Sequence, residues 1–527
     1  MKRKGSVLRW RNLFRLLLPI WGLIAGSLFC LALRPAWAAG CHPAYVLKSH
    51  NTWKVIPANN LDLDSDNLFC AIEAATASSV PDPVIVLGAG TFMLGKARPG
   101  GEDYEVITPG GKHLFIKDAV GESLHGPEWC LRTSERMFSL RKRMTLRGEV
   151  APNGKLLTLL TIPHPWEGDG IPLGTGSPSN PWESPIFILS GADGGTIKFE
   201  NLKFYGIPQP IWSFRPYELT DCIFDWCPWA IISWVDTRSV YPLYARTNAD
   251  FRHIQRSRIR RCKISNFCIS GGLISGLVAE DNVFGPFIQI GFINWTLTNF
   301  ASKDWYQTLW AWNSSPDIVN TDICRDNIYR RNLFINSDRG GQSENVIGLM
   351  FDVEGQGGIL EDNLVENNTF LDFNYLLGSI IVTTLPTPGV TDYSNRNNAF
   401  VNNRFVRCSL GISIGSTMGS GPMPIPLEDI WIFHNQFEDV RYSDSPETTR
   451  AIMIENTTDS KVLGNDYSES RLPGWSAGGP GCLELASTTW GNLVVELPSA
   501  FPKGTKLCDQ ILDKGRNHIA GLAMCKR

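Results

Sequence analysis

Zinc has no ready home in this sequence: there is no Cys-x-x-Cys pair, and the 8 histidines form no cluster. A basic surplus is missing too. The formal net charge is −3 over 527 residues, which argues against a nucleic-acid binder. No Asp-Asp, Gly-His-Gly or Arg-x-Pro-x-x-Arg segment occurs anywhere in the chain. What is plentiful points elsewhere. With 49 Gly and 33 Pro beside 18 Trp and 26 Phe, the composition suits short strands and many turns better than long helices. A chain with 43% hydrophobic residues can bury a large core. Its length allows about two to four domains, or one long repeat array.

The array is visible. A polar Asn or Cys position followed closely by an apolar or aromatic residue recurs between Glu200 and Ser468. It is seen as Asn201-Leu202-Lys203-Phe204, Cys222-Ile223-Phe224, Cys262-Lys263-Ile264 and Asn282-Val283-Phe284. It continues as Asn332-Leu333-Phe334, Asn363-Leu364-Val365, Asn403-Arg404-Phe405, Asn435-Gln436-Phe437 and Asn465-Asp466-Tyr467. Irregular repetition of this kind marks a solenoid, in which each unit buries its apolar face only against its neighbours.

The N-terminus sets the expected compartment. Lys2, Arg3, Lys4, Arg9, Arg11 and Arg15 precede the apolar run Leu16 to Leu33, and Ala36-Trp37-Ala38 offers a signal-peptidase site. Residues 1–38 are therefore read as a signal peptide, for a secreted, periplasmic or cell-envelope protein with no stable membrane span after cleavage. A retained anchor and an acylated Cys41 are the other readings of the same stretch. Of 13 cysteines, Cys30 leaves with the signal, and the even number remaining makes disulfides the default in an oxidising compartment.

Residues 39–90 are read as an irregular leader and an N-terminal cap. Leu68 to Ala77 forms a short amphipathic helix with Phe69, Ile72, Ala75 and Thr76 near one face. Pro81-Asp82-Pro83 stops it, and the strand Val84 to Leu87 and the turn Gly88-Ala89-Gly90 follow. An alternative lies just upstream. Asp62, Asp64, Asp66 and Glu73 occupy positions 1, 3, 5 and 12 of an EF-hand loop, so calcium is the one cofactor the sequence leaves open. The run Ala71-Ile72-Glu73-Ala74-Ala75, Val84 to Leu87 and Gly90-Thr91-Phe92 resembles the N-terminal cap of right-handed parallel β-helix proteins of the pectate-lyase-like superfamily. Cys70 and the residues after it partly match the Cys-Ser-Leu-Arg-Glu-Ala type of cap helix.

That resemblance implies an all-β right-handed parallel β-helix over residues 91–481, with a C-terminal cap at 482–527. In such a coil an Asn at the same bend of each turn can stack, its amide and carbonyl bonding the coils on either side. Cys222 and Cys262 occupy that position, with Cys227 and Cys268 a few residues later. They are read either as cross-coil disulfides, Cys222–Cys262 or Cys227–Cys268, or as buried thiols. Long insertions interrupt the repeat, notably at 294–322 and 385–397, and loops of this kind gather beside a groove.

Two sets of residues carry the candidate chemistry. Trp305, Tyr306, Trp310 and Trp312 lie in one insertion, where flat rings either stack on sugars or pack the loop onto the barrel. Asp352 and Glu354 stand two apart on a strand whose Ile347, Leu349, Phe351 and Val353 point inward, so both carboxyls face out. Their separation of ~7 Å suits an acid and a base flanking a water in an inverting glycosidase. Two solvated acids are the plainer reading. Arg339 comes from the preceding loop. Asn320-Thr321-Asp322 matches one element of polygalacturonase-like enzymes, but their Asp-Asp and Gly-His-Gly elements are absent and Arg261-Cys262-Lys263 stands in the wrong order. The expectation is an exported β-helix that binds a polysaccharide, with cleavage or modification as a lyase or hydrolase the further option. A non-catalytic envelope or adhesive protein is the alternative.

Overall fold

The computed structural model describes residues 42–94, 104–107, 113–116, 138–163, 165, 186–189, 195–207, 210–213, 215–227, 230–232, 256–264, 269–271, 275–287, 294–295, 297–303, 323–336, 346–355, 359–373, 379–385, 394–416, 425–440, 449–472, 474 and 481–520. The repeat seen in the sequence is one turn of a coil with three short strands. Ile197–Glu200 lies in a first sheet, Lys203–Tyr205 in a second and Ile211–Ser213 in a third. One turn later these become Tyr217–Thr220, Ile223–Asp225 and Ile231–Ile232. Each strand pairs in parallel with its equivalent: Ile197 with Tyr217, Lys203 with Ile223 and Ile211 with Ile231. The chain is a right-handed parallel β-helix. From Ile323 onward each coil adds a second strand to the first sheet, Ile323–Arg325 beside Ile328–Arg330, stacked on Ile359–Glu361 and Leu364–Glu366.

Both ends depart from the sequence reading. The expected leader is folded: Val46–Ser49 and Thr52–Val55 form an antiparallel pair, and Thr52–Val55 then stacks in parallel on Val84–Leu87. The capping helix runs Leu61–Ala77, starting seven residues earlier than expected. Asn60 caps it by accepting from Leu63 N at 3.0 Å. Of the expected face, Ile72 and Ala75 are buried, together with Leu68 and Ala71, while Phe69 and Thr76 are only half-buried. This also removes the calcium loop. Asp62, Asp64, Asp66 and Glu73 lie on a helix, and buried Asp64 accepts from the N–H groups of Ala58, Asn60 and Met93 at 2.6–3.0 Å. At the other end, Leu483–Leu485, Trp490–Val495, Ile511–Asp513 and Arg516–Ile519 continue the third and first sheets, so stacking runs through the boundary placed at 482.

The bends explain the repeated phrase. Asn201, Asp221, Arg261, Asp281, Arg331, Asn367, Asn402, His434 and Gly464 all have φ between 50° and 61°. This left-handed region favours Gly, Asn and Asp. Gly464 is doubly constrained, because a Cβ there would also stand 2.8 Å from the His434 ring. Where Arg takes the strained position it is tied to the coil before: Arg261 forks onto Asp221 and Arg331 onto Asp281 at 2.7–3.0 Å.

The next residue builds the ladder. Nδ2 of Asn282, Asn332, Asn368, Asn403 and Asn435 donates to Oδ1 of the Asn one coil on, at 3.0–3.1 Å each. Asn465 ends the run by donating to Glu496 Oε1 at 2.8 Å. Two of the expected members sit elsewhere. Asn201 is a left-handed bend residue, and Asn363 belongs to a second ladder with Asn327 and Asn398 at the bend between the two strands of the first sheet. Asn368, missed in the sequence, takes the main position. Cys222 and Cys262 do share that position, as free buried thiols. Of the two readings offered, the buried thiols hold and the Cys222–Cys262 disulfide does not form; Cys227 is also free, and Cys268 lies outside the described residues. Cys70 and Cys508 each take part in a disulfide.

Inside the coil, the aromatic half of the phrase stacks. Phe284, Phe334, Phe370, Phe405, Phe437, Tyr467 and Phe501 form one column, with successive centroids 4.6–5.2 Å apart and planes within 16°. An offset stack of this kind adds about 0.5–1.5 kcal/mol per pair beyond area burial.

Candidate functional site

The third sheet carries two of the residues the sequence singled out. Asp352 and Glu354 lie on Leu349–Gly355, which pairs with Thr298–Lys303 on one side and Ile380–Leu385 on the other. Leu349 and Phe351 are fully buried, and Phe351 packs edge-on against Tyr329 and Phe400 at 5.8 Å. Positions 352 and 354 have the opposite parity along the strand to Leu349 and Phe351. In register, Asp352 stands between Phe300 and Thr383, and Glu354 between Ser302 and Leu385. The outer face is covered nearby, since Met350 and Ile381, which share that parity, are buried. Trp305, Tyr306, Trp310, Trp312 and Arg339 lie outside the described residues.

Two carboxyls on the same sheet were not singled out. Glu484 lies on Leu483–Leu485, opposite Met453, and is 4% exposed. Lys514 Nζ approaches its Oε1 at 2.6 Å, and Arg450 Nε donates to its Oε2. Burial opposes ionisation there, but Lys514 and Arg450 outweigh it and hold Glu484 below the usual carboxylate range. Glu455, at the end of the neighbouring strand, is shifted the other way by burial and then by the charge of Glu484. The sheet thus holds two neighbouring carboxyls whose pKa values are shifted in opposite directions. Each follows an apolar strand residue (Ile454-Glu455, Leu483-Glu484), the same alternation that marked Asp352.

Most other outward acids serve the scaffold. Glu280 is bound by Arg260, Arg330 and Arg331, Glu361 by Arg396, and Glu438 by a fork from Arg404 at 2.6 Å. An open depression of about 190 Å³ on the second sheet is lined by Gln436, Phe437, Glu438, Asp466, Ser468 and Glu469. It is smaller than ordinary ligand clefts, and its Glu438 is already committed to Arg404. Among the described residues, no three His, Cys, Asp or Glu side chains converge as a metal site.

No family model and no curated protein matches the chain. Solved structures do resemble it. A tailspike protein variant of E. coli bacteriophage HK620 in complex with a pentasaccharide has 11% identity and a TM-score of 0.43, covering 88% of this chain and 76% of its own. The A-module of the Azotobacter vinelandii mannuronan C-5 epimerase AlgE6 has 11% identity and a TM-score of 0.42, covering 87% and 94%. The A-module of the AlgE4 epimerase from the same organism follows at 11% and 0.32, covering 86% and 93%. The likeness at these identities is one of fold, which the strand register already establishes.

Proposed function

We propose that the chain is an exported β-helix protein that binds a polysaccharide on the outer face of its third sheet and cleaves or modifies it there. The observation that carries this reading is the backbone placement of Asp352 and Glu354: two acid positions of one parity on a single strand, bordered in register by Thr383 and Phe300. A separation of ~7 Å along an extended strand leaves room for a water between an acid and a base. In this reading one carboxyl protonates the leaving oxygen and the other activates the water. Trp305, Tyr306, Trp310 and Trp312 supply stacking surface, and Arg339 a cationic contact. Export is supported by the basic-then-apolar N-terminus and by the disulfide state of Cys70 and Cys508. Among the described residues no helix is long and apolar enough to cross a membrane.

A non-catalytic surface protein is the second reading. It is favoured by the habit of this scaffold to use outward acids as Arg partners, as at Glu280 and Glu361. A screen of the purified chain against neutral and uronate glycans, reading both new reducing ends and unsaturated products, separates the two. Product from any glycan supports the enzyme. Binding that Trp310→Ala abolishes, with no product from any glycan, replaces it with the adhesive reading.

A further inference from the structure

The stack of strands comes to an end near the C-terminus. Among the described residues, Ile511–Asp513 pairs only with Leu483–Leu485, and Arg516–Ile519 only with Trp490–Val495, so each is the last strand of its sheet. The end is nevertheless covered. Phe501, the last ring of the aromatic column, rests on Tyr467 with one face and is only 3% exposed. The chain keeps to the stack as far as Ala520, whose N donates to Val494 O at 2.9 Å. Seven residues follow, Gly521-Leu522-Ala523-Met524-Cys525-Lys526-Arg527, with Leu522, Ala523 and Met524 apolar.

We propose that these seven residues fold back over the open end of the solenoid and are pinned there by a disulfide between Cys508 and Cys525. Cys508 takes part in a disulfide, and the coil geometry leaves it one partner. Cys222, Cys227, Cys262, Cys408 and Cys482 are free thiols. A disulfide needs Cα atoms about 4.4–6.8 Å apart, whereas each strand pairing adds ~4.8 Å along the stack. Cys268 directly precedes Ile269–Gly271, which is seven pairings, or ~34 Å, from Ile511–Asp513 beside Cys508. Cys324 lies on Ile323–Arg325, six pairings, or ~29 Å, from Arg516–Ile519. Cys130 stands eight residues before Phe138–Leu140, a reach of at most ~29 Å, and that strand is four pairings further away than Ile269–Gly271. Cys30, Cys41 and Cys70 belong to the opposite end, where Thr52–Val55 is thirteen pairings, or ~62 Å, from Arg516–Ile519. Even the fully extended chain from Cys30 to His42 spans only ~43 Å. Cys525 is left, within ~18 Å of Ala520. Forming the bond takes two electrons and two protons from the two thiols, and a disulfide of the exporting compartment accepts both. The cap therefore closes only after export, and a reduced chain keeps its last strands open to pairing with another chain.

Peptide mapping of the purified exported chain tests the pairing. Trypsin without reductant should release the peptide 507–514 joined to 517–526, as one species that reductant splits in two. Hydrogen exchange tests the capping. A bond closing a loop of about 17 residues should protect the amides of residues 511–519 about a hundredfold. The variant carrying both Cys508→Ser and Cys525→Ser should lose that protection while residues 379–385 keep theirs. Cys508 joined to any other cysteine, or a free Cys525 thiol, would overturn the proposal in the wild-type chain, however the variant folds. Unchanged exchange at 511–519 in the double variant, or an equal loss at 379–385, would overturn the capping.

Discussion

Glu496 closes the asparagine ladder, and its protonation should set the stability of the last coils. Elsewhere each ladder Asn accepts from the Asn before it through Oδ1 and donates through Nδ2. Asn435, for example, donates both to Asn465 and to the carbonyl of Phe400. Glu496 reproduces only the accepting half. Its Oε1 and Oε2 take Asn465 Nδ2 and Asn465 N, both at 2.8 Å, and Tyr467 Oη donates to Oε1 at 3.1 Å. Burial raises its pKa from 4.5 to about 7, and the hydrogen bonds from Asn465 and Tyr467 offset only part of that. An acid whose pKa is raised on folding stabilises the fold below its unfolded value, and that contribution is lost as pH rises through the folded value. Here the window runs from pH 4.5 to about 7. A shift of this size corresponds to about 3 kcal/mol lost across it. Because a solenoid can open one coil at a time, the loss should fall on the C-terminal coils. Hydrogen exchange of peptides spanning residues 489–497, corrected for intrinsic rates, should show wild-type protection falling relative to Glu496→Gln between pH 4.5 and 7. Gln carries no charge and adds the missing donor. Parallel protection profiles for the two proteins would refute the reasoning.

Further outcomes follow from the same geometry. Asn403→Ala removes a buried amide that donates to Val365 O at 2.9 Å and links Asn368 to Asn435, so urea unfolding should show a loss of about 3 kcal/mol or more. Asn403→Asp should be worse at neutral pH than at pH 4, since a carboxylate cannot donate to Asn435 Oδ1. The thiols of Cys222, Cys227, Cys262, Cys408 and Cys482 are buried, and burial raises the pKa of Cys408 to about 11 and of Cys482 to about 12. A thiol reagent at pH 8 should leave all five unmodified in the native chain and label them all in denaturant; rapid native labelling of any would contradict the packing.

The scaffold was legible in the sequence because its rules are local. A left-handed bend favours Asn, Asp or Gly, the following inward Asn needs a partner above and below, and an inward aromatic two residues later completes the unit. What the phrase could not separate is which bend of the coil it marks. Asn363 and Asn368 differ by five residues, and each is followed by an inward apolar residue, yet they belong to different ladders. The cap helix was clipped at its start because Asp62, Asp64 and Asp66 fit the spacing of a calcium-binding loop. Only the three-dimensional approach of Ala58, Asn60 and Met93 reveals Asp64 as a buried tie between helix and coil. Of the two readings left open for Cys222 and Cys262, the buried thiols hold: like positions do stack, but a small apolar thiol fills the bend as well as a bond would. The site was the least legible part. Strand parity was the whole basis for singling out Asp352 and Glu354, whereas the opposite pKa shifts of Glu455 and Glu484 depend on Lys514 and Arg450, brought in from 30 and 34 residues away.

The central claim is that chemistry on the third sheet belongs to Asp352 and Glu354. Product formation from the best glycan substrate, compared between Asp352→Asn and Glu455→Gln at unchanged melting temperature, tests it most directly. The account predicts that Asp352→Asn abolishes turnover, whereas Glu455→Gln retains it. Full turnover by Asp352→Asn, or its loss in Glu455→Gln alone, would contradict the account and move the site along the sheet.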